Sequence, residues 1–299
     1  DKTPFYVHAL ITNSYIESSW KCIGGGSQIS KALAMELRRH GGEIFKNLQV
    51  NAIIESNGLA TGVKLTNGYI VKGKNVVSNL HPSKTLRMID SSHIKNAYRN
   101  RINGLENSIS CFTLNIVLKK NRFPYKKSNY YCFSSGAVWS CMDHTEESWP
   151  LGYSLFYQPI FERKVSAEGI TVLAYMRYDE VSKWAETYNT VSQSEDRGVE
   201  YEEFKRRKAE RLIDKMEGKF PGIRDCIEKY YTATPLTYRD YIGNDDGSLY
   251  GVVKDYKNPL ATFISPRTKI KNLFLTGQNL FLHGILGVSL SGISSASAI

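Results

Sequence analysis

A chain of 299 residues with 41% hydrophobic residues carries enough apolar material for a full core, and points to two domains or one domain with a large insertion. Its formal net charge of +10 favours anionic partners: nucleic acid, a negatively charged membrane surface or a phosphorylated cofactor. Nowhere does an uninterrupted apolar run reach the roughly 18 residues a membrane-crossing helix needs, so no span is expected.

Lysine and arginine are scattered, as on an ordinary solvated surface. The dense run Lys205-Arg206-Arg207-Lys208 lies among Glu202, Glu203 and Glu210, and i,i+4 pairs of Glu202 with Arg206 and Glu203 with Arg207 are expected to neutralise much of it. No nucleic-acid-binding motif is present. Cys22, Cys111, Cys132, Cys141 and Cys226 are odd in number and form no Cys-x-x-Cys pair. That pattern argues for reduced thiols inside a cell, with no disulfide framework and no metal site. The start, Asp1-Lys2-Thr3-Pro4, has no initiator Met, basic n-region or apolar h-region, as expected of a fragment or a processed chain.

In chain order, residues 4–20 read as mixed helix and loop. Gly24-Gly25-Gly26-Ser27 is followed by Ile29, Leu33 and Leu37 at helical spacing and by Gly41-Gly42, which predicts a helix over 28–40 with Ser27 as N-cap and Gly41 as C-cap. A dinucleotide-binding fingerprint is rejected here. Trp20-Lys21-Cys22 is a poor strand, and Glu43 precedes the next strand instead of ending it. Ile44 and Phe45 begin one predicted strand and residues 50–54 form another. Asn57-Gly58 and Asn67-Gly68, both type I′ turn pairs, bracket residues 60–65, and 69–71 and 75–77 follow, which makes a β-meander.

Between Pro82 and Phe263 the pattern changes to long antiparallel-type strands with one strong helix. Phe112, Leu114, Ile116 and Leu118 alternate with Thr113 and Asn115, and residues 151–157 and 170–178 read as further strands. Tyr201, Phe204, Leu212 and Met216 mark one face of a helix over 199–218, closed by Pro221. A sheet floored by tyrosine and phenylalanine suits a long apolar ligand, and ordinary core packing explains the same residues.

The tail organises the rest. Residues 272–276 are a short apolar run ending at Gly277, a buried strand followed by a tight turn. Gly284 and Gly287 flank Ile285 and Leu286, and Val288, Leu290 and Ile293 continue at a spacing that fits a helix packed on one side. Glycine at a helix N-terminus lets a ligand approach free backbone N–H groups, where the helix dipole favours negative charge. Tight packing would explain the glycines equally well.

The order Leu273-Phe274-Leu275-Thr276-Gly277-Gln278-Asn279, a gap, then His283-Gly284-Ile285-Leu286-Gly287-Val288 resembles the C-terminal flavin-contacting segment of the phytoene desaturase, carotenoid isomerase and retinol saturase family of FAD-dependent oxidoreductases. Two further blocks match: the helix, Gly41-Gly42-Glu43, strand and Asn-Gly meander leading to Val76-Val77-Ser78-Asn79 and His81-Pro82, and Thr234-Pro235 followed by Gly247-Ser248-Leu249-Tyr250-Gly251. The resemblance implies an α/β (α+β) fold: a partial Rossmann-like FAD-binding domain with a β-meander, plus an antiparallel-sheet-and-helix substrate domain. Residues 1–81 and 264–299 would belong to the first and 82–263 to the second, with the Thr234 and Gly247 block as the re-entry.

The implied FAD contacts are Val50 near the adenine, Asn79, Gly277, Gln278, Gly284, Ile285, Leu286, Gly287 and Val288, with backbone N–H groups of 285–288 at the flavin pyrimidine edge. Burial alone would also explain Val50. Tyr250 near the substrate end of the ring and His283 as proton donor or substrate contact are the candidate catalytic residues; a packed loop tyrosine and a structural histidine are the alternatives. The family's Gly-x-Gly-x-x-Gly turn and its acidic ribose ligand are missing. FAD binding by these residues alone is therefore expected to be weak or absent, and the chain catalytically silent by itself. The implied activity is saturation, desaturation or isomerisation of a carbon–carbon double bond in a polyene or other isoprenoid. Amine oxidation on the same frame and a non-catalytic binding module are the competing readings. Basic charge and a lipid-like substrate together suggest a cytoplasmic protein in peripheral contact with a membrane surface.

Overall fold

The computed structural model of the protein describes residues 2–158 and 165–299. Helices α1 (Phe5–Glu17) and α2 (Ser27–Arg39) precede strands β1 (Val50–Ser56), β2 (Leu59–Leu65), β3 (Ile70–Lys72) and β4 (Val76–Ser78). Then come α3 (Pro82–Arg87), α4 (Asn96–Asn103), β5 (Ser110–Leu118), β6 (Tyr130–Phe133), β7 (Gly152–Tyr157) and β8 (Gly169–Met176). The chain continues through α5 (Val199–Lys219), α6 (Ile223–Cys226), β9 (Ile227–Ala233), α7 (Pro235–Ile242), α8 (Pro259–Thr262), β10 (Leu273–Leu275) and α9 (Gly284–Ala298).

Two compact units result. The first comprises Asp1–Ser19, Phe45–Ser108 and Ser248–Ile299. Its meander has the order β1-β2-β3, with Ile53 opposite Val63 and Val63 opposite Val71. The hairpin between β1 and β2 closes on Asn57 and Gly58, both at positive φ, as a type I′ turn requires. The second hairpin differs from the sequence expectation. Asn67 stays at negative φ, only Gly68 is left-handed (φ 90°), and Gly68 N donates to Leu65 O while Leu65 N donates to Tyr69 O. That is a type I turn closed by a left-handed glycine bulge, which an Asn-Gly pair also satisfies.

Strand β10 pairs parallel with β4, Leu273 facing Val76 and Leu275 facing Ser78. Ile53, Leu86, Ile102, Val252, Ile264, Leu273 and Leu275 share one buried cluster beneath these sheets. The sequence reading put the boundaries at 81 and 263; residues 82–108 and 248–263 instead belong to the first unit. Ser108 N donates to Gly251 O at 2.7 Å and Val253 N to Glu106 O at 2.9 Å, so the two segments are laced together. Arg101 holds the carbonyls of Ala261 and Phe263. Re-entry therefore begins at Ser248, while α7 stays in the second unit.

The second unit, Trp20–Ile44 and Ile109–Gly247, is built on a five-stranded antiparallel sheet of order β6-β7-β8-β5-β9. Phe112 sits opposite Ala174, and Ile116 opposite both Ile170 and Tyr230. Phe112, Leu114, Ile116 and Leu118 face one buried cluster with Tyr201, Phe204, Leu212 and Met216 of α5, as their periodicities predict. Tyr131, Phe133 and Tyr231 remain exposed, because alternation along a strand sends them to the other face. Strand β9 and helix α7 were not anticipated. The predicted strand at Ile44 and Phe45 does not form, and α2 starts at Ser27 with Gly26 as its N-cap, so Ser27 does not cap it.

The basic run of α5 is divided between solvent and core, with Arg206 and Arg207 exposed. Lys208 is fully buried, its Nζ 2.7 Å from Glu146 Oε2 and 3.2 Å from Glu180 Oε2, with the Trp149 ring beneath it. Arg207 reaches Glu146, and Glu202 pairs with Lys205, so neither anticipated i,i+4 pair is the one formed. Among the described residues no cluster of His, Cys, Asp or Glu could hold a metal, all five cysteines are free of disulfide bonds, and no helix is long and apolar enough to cross a membrane.

Burial alone would raise the Glu180 pKa. Hydrogen bonds from His144 Nε2 and Arg177 N, with the Lys208 charge, outweigh it and hold the carboxyl down to about 2. A depressed folded pKa stabilises the native state above the unfolded value, and that stabilisation is lost as pH falls toward 2. Glu180→Gln should cost about 3 kcal/mol in urea unfolding at pH 7. The gap between variant and parent should close as pH falls from about 5 to 2; a gap independent of pH would show that the carboxylate charge contributes nothing.

Candidate functional site

Helix α9 reads GILGVSLSGISSASA, and the residues it buries are the small ones: Gly287, Ser291 and Ser295, spaced i, i+4, i+8 on one face. Ser295 Oγ donates to Leu275 O at 2.8 Å, and Ser291 Oγ accepts the Gly277 N–H at 2.9 Å. A Cβ on Gly287 would collide with the carbonyl group of Leu282. Close seating against β10 thus requires small residues, and the apolar ones lie outward: Ile285 is 63% exposed and Ile293 66%. The sequence expectation that Val288, Leu290 and Ile293 form the packed side is corrected accordingly.

The glycines of the tail divide by cause. Gly277 has φ 98°, and a Cβ there would strike the Asn79 side chain, so two residues of the implied cofactor set meet across β4 and β10. The N–H of Gly277 is taken by Ser291. Gly287 serves packing. Gly284 differs: its φ is 76°, yet a Cβ would meet nothing within 4 Å. It opens α9 into free space, behind an N-cap, His283, whose side chain makes no capping bond. Helical geometry leaves the N–H groups of Gly284, Ile285 and Leu286 without an intrahelical acceptor, whereas those of Gly287 and Val288 fall within the i→i−4 ladder. The three open donors concentrate the positive end of the helix dipole at an exposed edge.

Tyr250 reaches the same place from the other re-entrant segment. Its N–H donates to Ser108 Oγ at 2.9 Å, and its ring lies 4.4 Å from that of His283, centroid to centroid, at 40°. Gly251 (φ 70°) makes room for Asn279, whose buried Oδ1 accepts the Val252 N–H at 3.0 Å. Burial lowers the pKa of His283 below its ordinary value, so the ring is neutral at pH 7 and can accept or relay a proton. Tyr250, His283 and Gln278 line one cavity of about 160 Å³ together with Ser108, Phe281 and Lys254.

Most of the residues singled out from sequence therefore come together: Asn79 with Gly277, and Gln278, Tyr250 and His283 around one cavity beside the start of α9. Val50 stands apart, paired with Leu65 in the meander and partly buried. Ser108, Lys254 and Ser291 carry no signal in the sequence, and Asn279 stands there only as the end of the Leu273–Asn279 motif. The register of the segments at 106–108 and 250–253 brings in Ser108 and Lys254, the seating of α9 brings in Ser291, and no local motif encodes either.

No family model matches the chain. It is 24% identical over 318 residues to all-trans-retinol 13,14-reductase of Danio rerio, covering 99% of this chain and 52% of that protein. It is 25% identical over 281 residues to the chloroplastic prolycopene isomerase of Daucus carota, covering 93% and 43% respectively. An oxidoreductase from Methanosarcina mazei superposes with a TM-score of 0.53 at 15% identity, over 92% of this chain and 55% of its own, and shows the fold. The resemblance read from the C-terminal motif is thus shown by similarity along nearly the whole chain. The chain spans about half the length of these relatives.

The division of the glycines is testable within a single helix. Gly287→Ala should destabilise the protein by about 1–3 kcal/mol through overpacking against Leu282. Gly292→Ala, whose Cβ meets nothing within 4 Å, should stabilise it by up to about 1 kcal/mol through helix propensity. Urea unfolding of the two variants should shift in opposite directions; equal shifts would refute the close seating of α9.

Proposed function

We propose that this chain carries the flavin-ring end of an FAD site, in a protein that reduces, desaturates or isomerises carbon–carbon double bonds of a polyene or other isoprenoid. The observation that supports it most is the start of α9: three unclaimed N–H groups at an exposed helix N-terminus, with no side chain at Gly284, beside the Tyr250–His283 pair. These residues fit a flat, electron-rich heterocycle. Gly284, Ile285 and Leu286 would hold its edge by backbone hydrogen bonds, Gln278 lines the same cavity as His283, and Asn79 lies against Gly277. FAD, when bound, supplies the two-electron redox chemistry, and the protein supplies orientation and electrostatics.

His283, neutral and half-buried, is placed to exchange a proton at a ring nitrogen with a bound substrate. Tyr250 fixes the imidazole plane through the ring contact, and Phe281 and Leu282 keep water from that side. Support for an apolar substrate comes from the relatives named for retinol and prolycopene, and from the second unit, whose sheet leaves Tyr131, Phe133 and Tyr231 exposed. The 299 residues contain no Gly-x-Gly-x-x-Gly sequence, so no element here is built to grip a pyrophosphate. The chain alone is accordingly a weak flavin binder without turnover.

If only the ring end is held, riboflavin and FAD should bind equally. Fluorescence titration of the 299-residue chain should give dissociation constants within about threefold of each other. Gly284→Val should weaken both by about tenfold or more, since its side chain fills the approach to the helix start. FAD binding a hundredfold tighter than riboflavin, or a preparation that retains flavin through purification, would contradict this reading.

A further inference from the structure

Lys254 is a half-buried cation with no acid to balance it among the described residues. Its Nζ donates to two neutral carbonyls, Asn279 O at 2.6 Å and Thr262 O at 3.2 Å, and no carboxylate lies among its partners in the described residues. Asp255 next to it is engaged elsewhere, accepting from Lys257 N and Asn258 Nδ2. The remaining titratable groups at the same cavity are Tyr250 and His283, and His283 is held neutral by burial. Val7, Phe281 and Leu282 form apolar walls, and the volume of about 160 Å³ is that of a benzene-sized ligand.

We propose that Lys254 is a carbonyl-capturing amine, whose Nζ condenses with the aldehyde group of a small aromatic or conjugated aldehyde seated in this cavity. The Nζ lone pair attacks the carbonyl carbon, forming a C–N bond as the C=O electron pair moves to oxygen. Proton transfer from nitrogen to oxygen gives a carbinolamine. Loss of its hydroxyl as water, completed by the proton that leaves the nitrogen, gives the imine. No oxidant or reductant is consumed.

Two features of the site favour the reaction. Burial without a counter-ion lowers the Lys254 pKa to about 8, so at pH 7 roughly 300-fold more of its amine is neutral than for an ordinary lysine. The two carbonyls engage two N–H groups, which leaves one further position on the nitrogen for the lone pair of the neutral amine, on a side chain that also lines the cavity. The inference shares its cavity with the proposed substrate end of the flavin site but needs no cofactor, since neither partner in the reaction is the flavin.

The 299-residue chain incubated with benzaldehyde at pH 7.5, reduced with borohydride, and mapped by peptide mass spectrometry tests it. Lys254 should acquire the benzyl group at least ~10-fold faster than exposed Lys72 or Lys74, with a rate that rises toward a plateau above pH 8. Lys254→Arg keeps the cation and should abolish the selective adduct without changing the thermal melt. Toluene, which competes for the cavity and not for surface amines, should slow labelling at Lys254 alone. Labelling in proportion to exposure, an unmodified Lys254, or indifference to toluene would each overturn the proposal, and none of these outcomes bears on the flavin reading.

Discussion

The close approach of α9 to β10 is the constraint on which the site depends. Gly287, Ser291 and Ser295 let the helix axis come near enough for two serine hydroxyls to bond the strand and the turn after it. Larger residues on that face would push the helix out, and three things would be lost together. The Gly277 amide would lose its acceptor, the open helix start at Gly284 would move, and His283 would leave Tyr250. One stripe of small residues therefore fixes the helix, the turn and the facing ring at once, without using any of the apolar side chains a sequence reader counts first.

The two units solve burial differently. In the second, a five-stranded antiparallel sheet lays Phe112, Leu114, Ile170 and Val172 against α5, and even a lysine is buried because two carboxylates and an indole receive it. In the first, a two-stranded parallel pair and a helix with exposed isoleucines leave a large apolar surface. Parallel strands are ordinarily covered on both faces, and apolar patches of this kind ordinarily meet a partner surface. The division has a functional side. The sheet of the second unit is fully formed, whereas the unit carrying the candidate cofactor site presents its helix start and its apolar flank openly.

Elements with a strong local code were legible in the sequence. The period-2 pattern of 112–118, the i, i+3, i+4 face of 201–216 and the Asn57-Gly58 turn each matched the structure closely, because burial and left-handed backbone select residue types at fixed spacing. Reading failed where distant partners decided. The charges around Lys208 were expected to be balanced within the helix, whereas Glu146 and Glu180, far away in sequence, receive it. Asn67-Gly68 made a hairpin as expected, but through a bulge, since one left-handed glycine sufficed. The faces of α9 were inverted for the same reason: hydrophobicity points toward a core only when apolar packing, and not close backbone approach, sets the helix position. Within the site, motif order identified Gly277, Gln278, His283 and Gly284, whereas Ser108 and Lys254 emerged only from the pairing of 106–108 with 250–253.

The most direct test of the central claim is a 15N-resolved amide spectrum of the chain titrated with riboflavin. The account predicts that the resonances of Gly284, Ile285 and Leu286 shift first and furthest, accompanied by the His283 ring, while Val50 and the meander stay in place. Shifts confined to the meander or to the five-stranded sheet, with the start of α9 unmoved at saturation, would contradict it.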